Sequence, residues 1–190
     1  MILGHRAILE AIKDGKIVVD PFDPHLVGPN SLDFGIGREF FCVKYIHGEP
    51  VFYGPMEFNA GTVIHLPMAG VLLALTDRVI GTAAGENMSI VARMQARSST
   101  GRRGIVICND AGIGDVGYIA RWTMEITANC SGASIVVGEI IGQMIFEYVL
   151  GAKPYDGQYT KDVVLNMVPS KYRKSNVVAA PGWLIDELTA

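Results

Sequence analysis

Short apolar segments rich in β-branched and aromatic residues follow one another along this chain, each cut off by glycine, proline or a polar turn. Ser31–Ile36, Phe40–Tyr45, Val51–Tyr53, Thr62–Leu66, Gly70–Leu75, Ser89–Met94, Ile105–Cys108, Arg121–Thr127, Ala133–Val137 and Ile140–Tyr148 all read as strands. With 22 glycines punctuating them, the pattern predicts a mainly β fold, a distorted barrel or jelly roll. One helix is clear. Over His5–Asp14, Ile8, Leu9 and Ile12 share a face, and Gly15 can close the last turn. Ile17-Val18-Val19 then leads into the proline-punctuated loop Asp20-Pro21-Phe22-Asp23-Pro24.

At 190 residues the chain reads as a single domain, 1–190, with residues 1–24 forming the opening helix and loop. Beyond Leu150 the periodicity weakens, and Tyr155, Tyr159, Lys161, Lys171, Tyr172, Arg173 and Lys174 are scattered through the tail. The segment 151–190 is therefore either a surface extension or a piece that closes over a ligand. A net charge of −3 argues against a nucleic-acid coat, which needs a broad basic field. No apolar run approaches the roughly 20 residues of a membrane helix, so no membrane partner is expected. The opening residues carry Glu10 and Asp14 and lack a small-residue cleavage site, unlike a signal peptide. Cys42, Cys108 and Cys130 are widely spaced, form no CxxC pair and read as core thiols of a reducing cytoplasm. A hydrophobic share of 49% against 18% charged leaves room for a large subunit interface.

The chemistry concentrates in Met94–Asn129. A basic, hydroxyl-rich turn, Arg97-Ser98-Ser99-Thr100-Gly101-Arg102-Arg103-Gly104, suits an anion such as phosphate. Downstream, Trp122, Met124 and Ile126 alternate with Arg121, Thr123, Glu125 and Thr127, which puts the two sets on opposite faces of a strand. The apolar set faces a core. The polar row carries Glu125, which is either a general base beside a cavity or half of a surface pair with Arg121. Other chemistries have no support. The four histidines, His5, His25, His47 and His65, all lie in the first third, away from Ser98 and Ser99. No zinc-deaminase or HExxH pattern is present, and GIGDVG at Gly112–Gly117 lacks the long helix of a dinucleotide site.

These blocks together resemble the dCTP deaminase family of the trimeric dUTPase-like superfamily. Pro29, Ser31, Asp33 and Gly37 stand where the family has "P-x-S-x-D-x-x-L-G". ARSSTGRRGI resembles "GRSSxxRxGL", Ala111 through Gly117 resembles the "TAGxIDPG" turn, and WTMEITAN resembles "ITLELxN". Ile141-Gly142-Gln143-Met144 resembles "IGQL", and the spacing from Arg97 to Glu125 agrees without a gap.

The resemblance implies a dUTPase-like β-barrel or jelly roll with few short helices, and a zinc-independent hydrolysis of dCTP to dUTP and ammonia. Glu125 matches the general base, Ser98 and Arg102 match residues holding water, base and phosphates, and the Ala111 carbonyl matches a contact to the water. Asp115 matches the acid that binds the deoxyribose 3′-hydroxyl. Arg97 and Ser99 match phosphate contacts. Gln143, Tyr155 and Lys171 match more distal ones. Thr100, Gly101, Thr123 and Met124, interleaved with these, complete the expected nucleotide contacts. Magnesium would arrive with the triphosphate. The family shares its site between neighbouring subunits, which implies a homotrimer, with pairing into a hexamer and feedback inhibition by dTTP as further expectations.

Two departures from the pattern mark where specificity can differ. The family's "DPG-F/W-x-G" reads Asp115-Val116-Gly117-Tyr118-Ile119-Ala120, without the proline and the last glycine. Its "KYxxQ" tail reads Lys171-Tyr172-Arg173-Lys174-Ser175, with Gln158-Tyr159 as a rival alignment. A C5-modified cytosine or a monophosphate is thus a second candidate substrate. The competing functions are a bifunctional enzyme that also cleaves dUTP, a plain dUTP diphosphatase, and a catalytically silent nucleotide-binding regulator.

Overall fold

The computed structural model describes residues 1–67, 69–85, 88–108, 111–157 and 164–190. Helix α1 (His5–Lys13) buries Ile8 and Ala11, with Leu9 and Ile12 packed half-buried against the same core. It ends as its pattern predicts, with Asp14 and Gly15 N–H groups donating to the Glu10 and Ile12 carbonyls.

The strands follow in order: β1 (Ile17–Asp20), β2 (Leu32–Ile46), β3 (Glu49–Glu57), β4 (Val63–His65), β5 (Val71–Thr76), β6 (Val79–Thr82) and β7 (Met88–Ala96). A short helix α2 (Ser98–Arg102) leads into β8 (Ile105–Ile107), β9 (Ile113–Gly114), β10 (Ile119–Ala120) and β11 (Thr123–Ala128). Next come β12 (Ser134–Val136), β13 (Ile140–Leu150), β14 (Val177–Val178) and a closing helix α3 (Gly182–Thr189). The main sheet runs β8-β11-β5-β2-β13-β7-β9, and β3 branches from β2. Smaller sheets β1-β6-β10 and β4-β12 complete a mainly β half-barrel. Among the described residues only β14 pairs in parallel, with β3. Also among them, no helix is long and apolar enough to cross a membrane.

The differences from the sequence pattern have local causes. The predicted strands Ser31–Ile36 and Phe40–Tyr45 are one strand, β2. Its register against β5 shifts between Ile36 and Phe40, so Gly37-Arg38-Glu39 is a bulge that bends the strand without ending it. Strands β1 and β6 pair with each other, Ile17 with Thr82 and Asp20 with Val79, although four other strands lie between them in the chain, a partnership no local pattern announces. Helix α3 buries Leu184 and Leu188, four residues apart on one face.

Alternation on β2, β5 and β11 produces two apolar layers. Phe40, Cys42, Leu72, Ala74, Met124 and Ile126 face the main core. Phe41, Val43, Phe52, Leu73 and Leu75 face the other way and are covered by Met167 and Val168 of the tail. The functional strand runs along the border of this second layer.

Candidate active site

Strand β11 splits as its sequence predicts. Trp122, Met124 and Ile126 are buried, whereas Thr123, Glu125 and Thr127 are half-buried on the opposite face. Glu125 stands opposite Leu73 of β5, and its carbonyl accepts the Cys108 N–H at 2.9 Å from the β8 side. Its side chain borders a cavity of about 280 Å³ lined by Ala111, Asp115, Thr123, Tyr155, Tyr118 and Trp122. Five predicted site residues therefore meet around one space: Ala111, Asp115, Thr123, Glu125 and Tyr155. Glu125 also borders a second, more apolar cavity of about 430 Å³ with Tyr45, Phe52, Leu73, Met167 and Tyr172.

The turn that departs from the family pattern is nonetheless formed. Tyr118 N–H donates to the Asp115 carbonyl at 3.0 Å, and Gly117 N–H to the Thr82 carbonyl at 2.9 Å. Gly117 has φ +86°, a left-handed conformation that glycine adopts freely. Val116, in place of proline, is buried, and its carbonyl accepts the Tyr155 N–H at 2.7 Å. That bond ties the tail to the cavity wall. Tyr155 packs edge-on against Tyr118, with ring centroids 5.5 Å apart, and Tyr118 against Trp122 at 5.4 Å. The Trp122 ring N–H donates to the Ile80 carbonyl at 2.8 Å, which locks the aromatic row onto the fold.

The second group of predicted residues lies elsewhere. Arg97 N–H and the Thr100 hydroxyl both donate to the Ile141 carbonyl, at 3.2 and 2.7 Å, anchoring α2 on β13. Thr100 is thereby buried, while Ser98, Ser99, Gly101 and Arg102 are exposed. The Arg97 guanidinium lies 3.5 Å from the Asp33 carboxylate. Burial pushes the Asp33 carboxyl above its usual range, with Arg97 opposing it. Gln143 is paired with Asp33 and with Gln95 in the ladder, and the Ser31 hydroxyl donates to its side-chain carbonyl at 3.4 Å.

Within one chain the two groups do not meet. The Gly104 carbonyl accepts the Asn129 N–H at 2.8 Å. Asn129 lies four residues past Glu125, or about 13 Å along a strand. Helix α2, Arg97 and Gln143 thus form one group, and the residues of the Glu125 cavity form another. Met124 points its side chain into the core and is not part of the cavity lining. Lys171 is exposed, its ammonium 4.5 Å over the Tyr172 ring at the edge of the second cavity. Tyr159, Lys161 and the rival Gln158-Tyr159 alignment lie outside the described residues.

Sequence reasoning missed three groups. The Arg121 guanidinium is committed to Glu39, at 2.8 Å for its Nη1, and to the Thr76 carbonyl at 3.0 Å. The surface pair between Arg121 and Glu125 is thus replaced by one with Glu39, whose partner strand is set by tertiary pairing. Tyr118 belongs to the cavity wall, a role its place in the turn motif could have signalled. Cys108 touches Glu125 directly, which nothing in its sequence neighbourhood announces.

A model of the dCTP deaminase-like family matches residues 2–149. The chain belongs to that family. It is 34% identical over 156 residues to a "dCTP deaminase, dUMP-forming" of Methanosphaerula palustris, covering 77% of this chain and 80% of that one. It is 32% identical over 167 residues to a protein of the same description from Methanoculleus marisnigri, covering 82% and 86%. Among solved structures, a 2′-deoxycytidine 5′-triphosphate deaminase from Agrobacterium tumefaciens shares the fold, with TM-score 0.57 and 24% identity. The match covers 76% of this chain and 47% of that structure's chain. The matched residues include Asp33, α2, Glu125 and Gln143 and stop short of Tyr155 and Lys171.

Proposed function

We propose that this chain hydrolytically deaminates dCTP. The observation that carries the reading is the meeting of Glu125 with Asp115, Thr123, Tyr155 and the backbone of Ala111 around one cavity. The carboxylate takes a proton from a water held by the Ala111 carbonyl. The resulting hydroxide adds to C4 of cytosine while Glu125 passes the proton to N3. A second proton, from the added hydroxyl, moves through Glu125 to the amino group. The C4–N bond then breaks, ammonia leaves, and C4 keeps a carbonyl. Asp115 holds the deoxyribose 3′-hydroxyl, and Tyr155 closes over the sugar.

Arg97, Ser98, Ser99 and Arg102, with Gln143 and Lys171, hold the triphosphate, whose charge magnesium partly offsets as it enters with the nucleotide. Arg102 and Ser98 sit far from Glu125 of their own chain, and the reading completes each site with the α2 turn of a neighbouring copy in a homotrimer. Thr100 anchors that turn through its hydrogen bond to the Ile141 carbonyl.

The relatives are described as dUMP-forming, and that favours a second step, cleavage of the dUTP formed to dUMP and pyrophosphate. Asp115 beside Glu125 supplies a second acid for it. Incubation with dCTP and with dUTP, following ammonia, pyrophosphate and nucleotides, decides. Ammonia with dUTP as end product indicates deamination alone, and dUMP from dCTP the two-step enzyme. Absence of ammonia from dCTP overturns the reading.

A further inference from the structure

Cys108 lies directly across from Glu125 at the place where β8 ends. A hydrogen-bonded pair in an antiparallel ladder exchanges two N–H···O bonds. One of them is kept here, from Cys108 N–H to the Glu125 carbonyl at 2.9 Å. The other is replaced. The Glu125 N–H meets the Cys108 sulfur at 3.4 Å instead of a carbonyl.

The cause lies in the Cys108 backbone. Its φ of 49° is left-handed, a costly conformation for a residue with a side chain, and the β8 ladder stops short of it, at Ile107. Beyond that end of β8, Ala111 lines the cavity. The sulfur is also 3.5 Å from the Thr123 carbonyl and 3.5 Å from the Met94 sulfur, so it is held between two cavity-bearing positions of β11 and the core. A strained non-glycine residue beside a site is the kind of outlier that functional constraint maintains. We infer that Cys108 is a positioning residue for Glu125, its sulfur standing in for the missing ladder carbonyl and holding the base's peptide where the β8 ladder ends. The inference rests on the role proposed above for Glu125. Burial pushes the Cys108 thiol up to about 12, so it stays neutral and places no second negative charge beside the carboxylate.

Three variants of the full-length protein test this with dCTP. Cys108→Ala removes the acceptor. It should keep KM within about twofold and lower kcat about tenfold or more, as small misplacements of a reacting group do. Cys108→Ser retains an acceptor and should recover kcat to within about threefold of the parent. Cys108→Gly relieves the left-handed backbone but has no acceptor. It should melt no lower than the alanine variant and be as slow. A purely structural role orders the three by melting temperature instead. The inference is overturned if the alanine or glycine variant keeps kcat within twofold, or if serine loses as much as alanine. A parent protein that releases no ammonia overturns the proposed reaction and this inference together. An active parent with an active alanine variant overturns the inference alone.

Discussion

Glu125 and Leu73 are cross-strand partners, so the carboxylate of β11 rises beside a buried leucine at the border between an apolar layer and an open cavity. Leu73 belongs to the layer formed with Phe41, Val43, Phe52 and Leu75. The side chain thus lies between the more apolar cavity on the Leu73 side and the cavity it shares with Asp115 and Thr123. A base needs such a place: enough wall to fix its direction, enough access to reach a water.

The proposal that each site is completed by a neighbouring copy has a direct genetic test. Glu125→Gln and Arg102→Ala proteins are each expected to be inactive alone. Unfolded together and reassembled in equal amounts, they should regain about one quarter of parental activity, because a random trimer with a head-to-tail interface restores one site in four. Mixtures as dead as their components would show that both residues serve the same chain's site.

Acid stability follows from Glu39. Hydrogen bonds from Arg121 hold its carboxyl below the ordinary 4.5. A carboxyl depressed by folding contributes stability that is fully present above its unfolded value and is lost as pH falls through the folded one. The melting temperature should therefore hold from neutrality down to about 4.5 and decline below it. Glu39→Gln should cost about 1–3 kcal/mol at neutral pH and flatten the acid decline. A variant that melts like the parent across the whole range removes the pair from the account.

Gly142 packs against the Phe34 ring so closely that an added Cβ would lie 2.1 Å from its Cζ. Both belong to the buried core, and the ring cannot move without disturbing its neighbours. Gly142→Ala should destabilise by about 1–3 kcal/mol, the usual cost of overpacking, measured by denaturant unfolding. The glycine of the Ile141-Gly142-Gln143 motif then serves packing.

Much of this was readable in the sequence, and the limit was distance along the chain. Period-two alternation placed Trp122, Met124 and Ile126 inward and Glu125 outward, because strand geometry is local. The helix from His5 was readable for the same reason. What failed depended on partners far away. Arg121 found Glu39 instead of Glu125, since four residues along a strand span about 13 Å while a neighbouring strand is close. The bulge at Gly37-Arg38-Glu39 read as a break because glycine and charge weaken a strand pattern whichever way the ladder resolves them. Cys108 carried no signal, since its function lies in a backbone angle.

Helix α3 was not read from the sequence, although Leu184 and Leu188 stand four residues apart behind Pro181. Both are fully buried, which makes the end of the tail part of the fold. Leu184→Ala should cost about 2–5 kcal/mol and leave kcat per folded molecule unchanged. A fall in kcat without a fall in stability would instead tie α3 to the catalytic step.

The central claim is that Glu125 moves the protons of deamination. Ammonia release from dCTP by Glu125→Gln, against nucleotide binding by the same variant, tests it most directly. The account predicts binding within a few-fold of the parent and ammonia release reduced at least about a thousandfold, since the amide cannot relay a proton. Ammonia release near the parental rate in a variant that binds dCTP normally would contradict it.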